Sequence, residues 1–93
     1  MTLNEEEIRR RLPELAGWDY NGKELVRLFT WPSFMGAVRF VDRLAVVADK
    51  AAHHPNIDIR YDAVRLSLST HSENGITEKD FSLAKEINRV AKE

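Results

Sequence analysis

The chain has no cysteine, which excludes disulfides, thiolate nucleophiles and sulfur-ligated zinc together. It has no long hydrophobic run either. The longest purely apolar stretch, Leu44–Ala48, cannot span a bilayer, and the N-terminus is acidic and then basic with no apolar leader core. An excess of one charge is also missing: 14 basic against 15 acidic residues leave a net of −1, so neither a polyanion nor a membrane surface is favoured. The Arg9-Arg10-Arg11 run is already neutralised by Glu5, Glu6 and Glu7. No glycine-rich loop could cradle a phosphate, and no serine elbow suggests nucleophilic catalysis. Linkers, repeats and low-complexity tracts are absent. Together these absences predict a cytoplasmic protein with one domain over residues 1–93 and no nucleic-acid or membrane partner. A chain this short buries only about two thirds of its unfolded surface, so self-association is expected to supplement its core.

Asn4 with Glu7 three residues on forms a capping-box pattern, with Leu3 and Ile8 placed as a hydrophobic staple. Glu5–Arg9, Glu6–Arg10 and Glu7–Arg11 are i,i+4 pairs in the favoured order, and Pro13 and Gly17 end that helix. Residues 18–31 read as a hairpin turning at Asn21-Gly22 with type I′ geometry. Ser33 is the expected N-cap of the longest helix, over 33–52. Its apolar residues fall on two rows: Phe34, Val38, Val41, Ala45, Ala48, and Ala37, Phe40, Leu44, Val47, Ala51. That stripe is wider than one sheet face needs. Half is expected to cover the sheet and half to meet a partner, so that a charge at Phe40, Leu44 or Val47 would break the partnership. A second hairpin, Asn56–Tyr61 with Val64–Thr70, precedes a last helix capped by Thr77 with Asp80 at its third position. The order predicts an α+β domain, α-β-β-α-β-β-α, whose four-stranded antiparallel sheet carries its helices on one face.

All three histidines fall in one constellation. Pro55 disfavours helical geometry for His54, so the long helix should stop at the His53-His54 pair. A hairpin turning at Asp62-Ala63 pairs residues whose numbers sum to 125: Tyr61 with Val64, Ile59 with Leu66, Ile57 with Leu68, and His54 opposite His71. Asp49, four residues before His53, would hold one of its ring hydrogens, and the negative helix end favours a cation there. His71 follows Arg65, Ser67 and Ser69 in period two, which suggests a site on the open polar face of the sheet. Tyr61 is expected to pack, and Asp80 to serve the helix start before it serves a site. Trp18, Phe29 and Trp31 read as core or interface. Three imidazoles and an aspartate could also ligate zinc. Adjacent residues rarely aim both rings at one point, however, and metal motifs use i,i+4 spacing for that reason. Proton transfer is the better reading.

The order Asp49-x-x-x-His53-His54-Pro55, then Tyr61, His71 and Asp80, closely resembles the signature of the pterin-4a-carbinolamine dehydratases. Ser69-Thr70-His71, Gly75-Ile76-Thr77, Leu12-Pro13 and Trp18 are similar as well, and the likeness runs over roughly residues 4 to 91. The resemblance implies a lyase that removes water from 4a-hydroxytetrahydropterin to give quinonoid dihydropterin, the step that recycles tetrahydrobiopterin. It implies His53 and His71 as acid/base groups, and His54 as a group that binds and orients the pterin. Asp49 and Asp80 would support the site, with Pro55, Ser69 and Thr70 among the substrate contacts. Neither metal nor cofactor is implied, and the assembly would be a homodimer or homotetramer. Asp49 stands where many members have glutamate, a shorter arm. The competing reading, from a different class, is a dimerising scaffold or transcription cofactor whose helical surface binds another protein while the histidine site is vestigial.

Overall fold

A computed structural model describes all 93 residues. Helix α1 (Glu5–Arg11) carries the capping box, Asn4 accepting from the Glu7 amide at 2.8 Å and Glu7 accepting from the Asn4 amide at 3.2 Å. Of the three charge pairs only Arg9–Glu5 forms, because Glu7 is engaged at the cap and Arg11 turns to Glu78 and Glu14. Pro13 converts the helix end into a 3₁₀ turn, Leu12–Glu14. Strands β1 (Asp19–Tyr20) and β2 (Leu25–Thr30), helix α2 (Phe34–Ala51), strands β3 (Asn56–Arg60) and β4 (Ala63–Leu68) and helix α3 (Glu78–Ala91) follow. The sheet is antiparallel throughout, ordered β1-β2-β4-β3. Leu25 and Phe29 from β2 and Val64, Leu66 and Leu68 from β4 enter one core with Ile8, Phe40, Leu44, Phe81, Leu83 and Ile87 from the helices. The alternate residues, Val26, Leu28 and Arg65, face away from the helices.

Three local expectations need correction. The first hairpin does not turn in two residues. Tyr20 pairs with Leu25, and Asn21 folds the four-residue loop by accepting from the Lys23 and Glu24 amides at 2.9 and 2.7 Å, with Gly22 at φ 91°. The second hairpin turns at Tyr61-Asp62, with Tyr61 at φ 60°. Ile57 therefore pairs with Leu66 and Ile59 with Val64, a register two short of the expected one. Tyr61 is 75% exposed at the tip instead of packed. On α2 the buried stripe is Ala37, Phe40, Leu44 and Ala48, which cuts across both rows as a 3.6-residue repeat requires. A charge at Phe40 or Leu44 would break the core. The large apolar residues α2 leaves exposed are Phe34, Met35 and Val46.

Candidate active site

Helix α2 ends through Ala52, which sits in the left-handed region at φ 51°, ψ 38° and donates its amide to Ala48 and Asp49. The chain therefore leaves the helix axis just before the histidines. His53 lies beyond the last helical residue, and the expected i,i+4 partnership with Asp49 does not form. Asp49 bonds instead to His54, Oδ1 to Nε2 at 2.9 Å, an exposed pair. His53 turns inward toward α3, where its Nε2 lies 2.5 Å from Asp80 Oδ1.

Asp80 is 0% exposed and both its oxygens are occupied. Oδ2 accepts from the Thr70 hydroxyl at 2.8 Å and from the Thr77 amide at 2.9 Å. The direction of these bonds follows by elimination. Thr77 Oγ1 accepts from the Lys79 amide, so its hydrogen is free for Thr70 Oγ1 at 2.8 Å, and the Thr70 hydrogen goes to Asp80. Every donor converges on one buried carboxylate, which a charged acceptor needs in order to be tolerated there. The third donor must be the His53 Nε2–H. That fixes the tautomer of neutral His53 and leaves Nδ1 as the ring nitrogen free for chemistry. Asp80 thus caps α3 and holds His53 with the same side chain, and being enclosed it touches a bound molecule only through the imidazole.

His53 lines a groove of about 530 Å³ between α2 and α3, floored by Val47, Ala51 and Leu83 and edged by Lys50, Lys79 and Ser82. His71 lies elsewhere. Strand β4 stops at Leu68, Thr70 bridges to Gly75, and His71 opens a 3₁₀ turn, His71–Glu73, instead of ending the strand opposite His54. It lines a polar cavity of about 300 Å³ with Ser69, Thr70, Asn74, Lys23 and Glu24. Lys23 and Glu24 carry no signal in the sequence, because only the four-residue loop brings them there. Thr70 borders this second cavity and also bonds Asp80, so the Asp80–Thr70 bridge joins the two histidine environments. Pro55 is half-buried between His54 and β3. The open face of the sheet is not where these groups gather: Arg65 is exposed there, but Ser67 is 5% exposed and bonded by Asn56. No three His, Asp or Glu side chains converge to hold a metal ion.

Comparison with known proteins gives the family. The model of the family described as pterin 4 alpha carbinolamine dehydratase matches residues 1–90. The chain belongs to that family. A Sulfolobus acidocaldarius protein, provisionally named a pterin-4-alpha-carbinolamine dehydratase, is 48% identical over 90 residues, covering 97% of this chain and 99% of its own length. A Roseiflexus castenholzii protein with the same provisional name is 49% identical over 88 residues, 95% of each chain. Among solved structures, a transcriptional coactivator/pterin dehydratase from Brucella melitensis superimposes with a TM-score of 0.91 at 36% identity, covering 98% of this chain and 99% of that one. A pterin dehydratase-like RuBisCO assembly factor of the alpha-carboxysome shares the fold, with a TM-score of 0.69 at 24% identity over 81% of this chain and 89% of its own.

Proposed function

We propose that this protein is a hydro-lyase that dehydrates 4a-hydroxytetrahydropterin to quinonoid dihydropterin and water, serving tetrahydrobiopterin recycling in the cytoplasm without a cofactor. In this reaction the N5 lone pair forms the new double bond to C4a while the C4a–oxygen bond breaks. The departing hydroxyl takes a proton and leaves as water, and the N5 hydrogen passes to a base. One proton is given and one is taken, so a pair of imidazoles in opposite protonation states suffices. In this reading His53 and His71 fill those two roles from either side of the Asp80–Thr70 bridge, and His54 orients the pterin ring, aided by Asp49, Pro55 and Ser69. Each positioned acid or base is worth about 10²–10⁴-fold in rate.

The observation that carries the proposal is the His53–Asp80 pair. A 2.5 Å contact to an enclosed carboxylate with two further donors holds one ring nitrogen and frees the other, an arrangement that orients a proton-transfer imidazole. Stopped-flow dehydration of synthetic 4a-hydroxytetrahydropterin tests it. His53→Ala and His71→Ala should each lower the rate by about 10²-fold or more with the fold retained. Undiminished turnover in both variants removes the catalytic assignment.

A homodimer or homotetramer belongs to the same proposal, and the exposed Phe34, Met35 and Val46 of α2 are apolar surface available for it. The alternative reading, a protein-binding scaffold with a vestigial site, draws on the coactivator designation of the Brucella melitensis relative. It requires a partner affinity that survives both histidine substitutions.

A further inference from the structure

Arg27 is half-buried in β2, and no carboxylate lies within 4.0 Å of it to form an ion pair. The guanidinium lies over the Phe29 ring, with Cζ 4.1 Å from its centroid. Nη1 is anchored by the Ala16 carbonyl and Asn88 Oδ1, both at 2.6 Å. Both polar atoms of Asn88 are engaged, since Oδ1 also accepts from the Trp18 indole at 2.8 Å and Nδ2 donates to Ala16 at 3.0 Å. Nε and Nη2 make no hydrogen bond to the protein. Gly17, at φ 83°, leaves room for the group: a Cβ there would stand 2.6 Å from Arg27 Cζ. Burial pulls the Arg27 guanidinium down from its ordinary value, so its charge is costly where it stands.

This arginine borders a cavity of about 250 Å³ between β2 and the last turns of α3, with Phe29, Thr30, Trp31, Asn88 and Lys92 in its wall and no acidic residue. Trp31 adds a second unmet requirement. Its indole N–H is buried without an acceptor, the one such side-chain atom in the molecule. Buried donors are ordinarily paired. One wall thus carries two cations and a hydroxyl beside the rings of Phe29 and Trp31, whose centroids are 6.2 Å apart at 16°, and the orphan indole N–H is buried on one of those rings.

We propose that this cavity is a second ligand site, separate from the histidines, that takes a small flat carboxylate. The free edge of the guanidinium fits the two carboxylate oxygens. The half-buried Trp31 ring gives a planar body one apolar contact, and the volume is below the roughly 300–1,000 Å³ of drug-sized ligand pockets. The site shares no lining residue with the His53 groove or the His71 cavity, so it stands whether or not the dehydratase reading holds.

The test is a titration of the full chain with benzoate, read from the ¹H–¹⁵N signals of the Trp31 indole and Arg27 Nε–H, with acetate and inorganic phosphate as parallel probes. Benzoate should shift both signals saturably, and the other two anions should bind at least about tenfold more weakly. Arg27→Met should lose about tenfold to a hundredfold in affinity, the worth of a charged hydrogen-bonded pair. Asn88→Asp places a carboxylate where Oδ1 already meets Arg27. By pairing Arg27 from within the protein it should weaken benzoate by a similar factor, which keeps the test open if Arg27→Met does not fold. The absence of a saturable shift, an equal response to phosphate, or undiminished binding in either variant overturns the proposal.

Discussion

Asp80 caps a helix and holds an imidazole with one side chain. Its Oδ2 closes the capping box of α3 and its Oδ1 meets His53. Asp80→Asn would put an amide NH₂ against donors on one side or the other. We expect a stability loss of about 3 kcal/mol by urea denaturation, typical of a broken buried pair. The ¹⁵N shifts of His53 should also move away from the pure Nε2–H pattern. Thr70→Val, which removes one of three donors, should cost about 1–2 kcal/mol. Much of this residue-level arrangement was legible in the sequence. The Thr77 cap with Asp80 at its third position and the end of the helix at the histidine pair come from local pattern, and the site role of Asp80 from the family resemblance. The partner exchange was not, because the sequence places His53 one turn below Asp49 only if the helix continues. Nothing local announces that Ala52 takes a left-handed conformation.

At the scale of elements, the two hairpins show why alternation fixes faces better than registers. A slip of two residues in β3 against β4 leaves Ile57, Ile59, Val64 and Leu66 on the same side, so burial cannot distinguish the two pairings and the turn decides. A slip of that size is enough to move His71 off the end of the strand. Helix α1 is tied to the start of α3 by Arg11, which pairs with Glu78, the second contact being 3.0 Å, and whose Cζ stands 4.5 Å from the Phe81 ring centroid. The hydrogen bond from Arg11 holds the Glu78 carboxyl below its ordinary value, against a smaller opposing effect of burial. A lowered folded-state value means that the stabilisation is complete above the unfolded carboxylate's value, about 4.3, and is lost as pH falls through the folded one. Arg11→Met should therefore lower the melting temperature near neutrality, and the difference from the parent should shrink below about pH 4.

For the molecule as a whole, helices on one side of the sheet leave Leu28 uncovered on its open face and two further stretches of apolar surface. One is the outer side of α2. The other is the β3 edge, where Ile57 and Ile59 are 40% and 39% exposed. Sedimentation equilibrium should give a mass of two or four chains. Val46→Glu should lower that mass with the circular dichroism unchanged if α2 is the contact, whereas Phe40→Asp should unfold the chain. The layered architecture was readable from the order and periodicity of the elements. The division of α2 into covered and free surface was not, because both rows are apolar and the helix axis chooses between them. No helix is long and apolar enough to cross a membrane.

Alanine at position 52 holds a left-handed geometry, φ 51°, that disfavours any side chain by about 1–2 kcal/mol. Glycine would adopt it without that penalty, partly offset by about 0.4–1 kcal/mol of extra freedom in the unfolded chain. Ala52→Gly should accordingly leave the melting temperature equal or a few degrees higher by calorimetry. The same change loosens the pivot from which both imidazoles hang, so the proposed dehydration should fade with warming further below the unfolding transition than in the parent. Heat tolerance of the histidine site and heat tolerance of the fold would then part company at a single peptide unit.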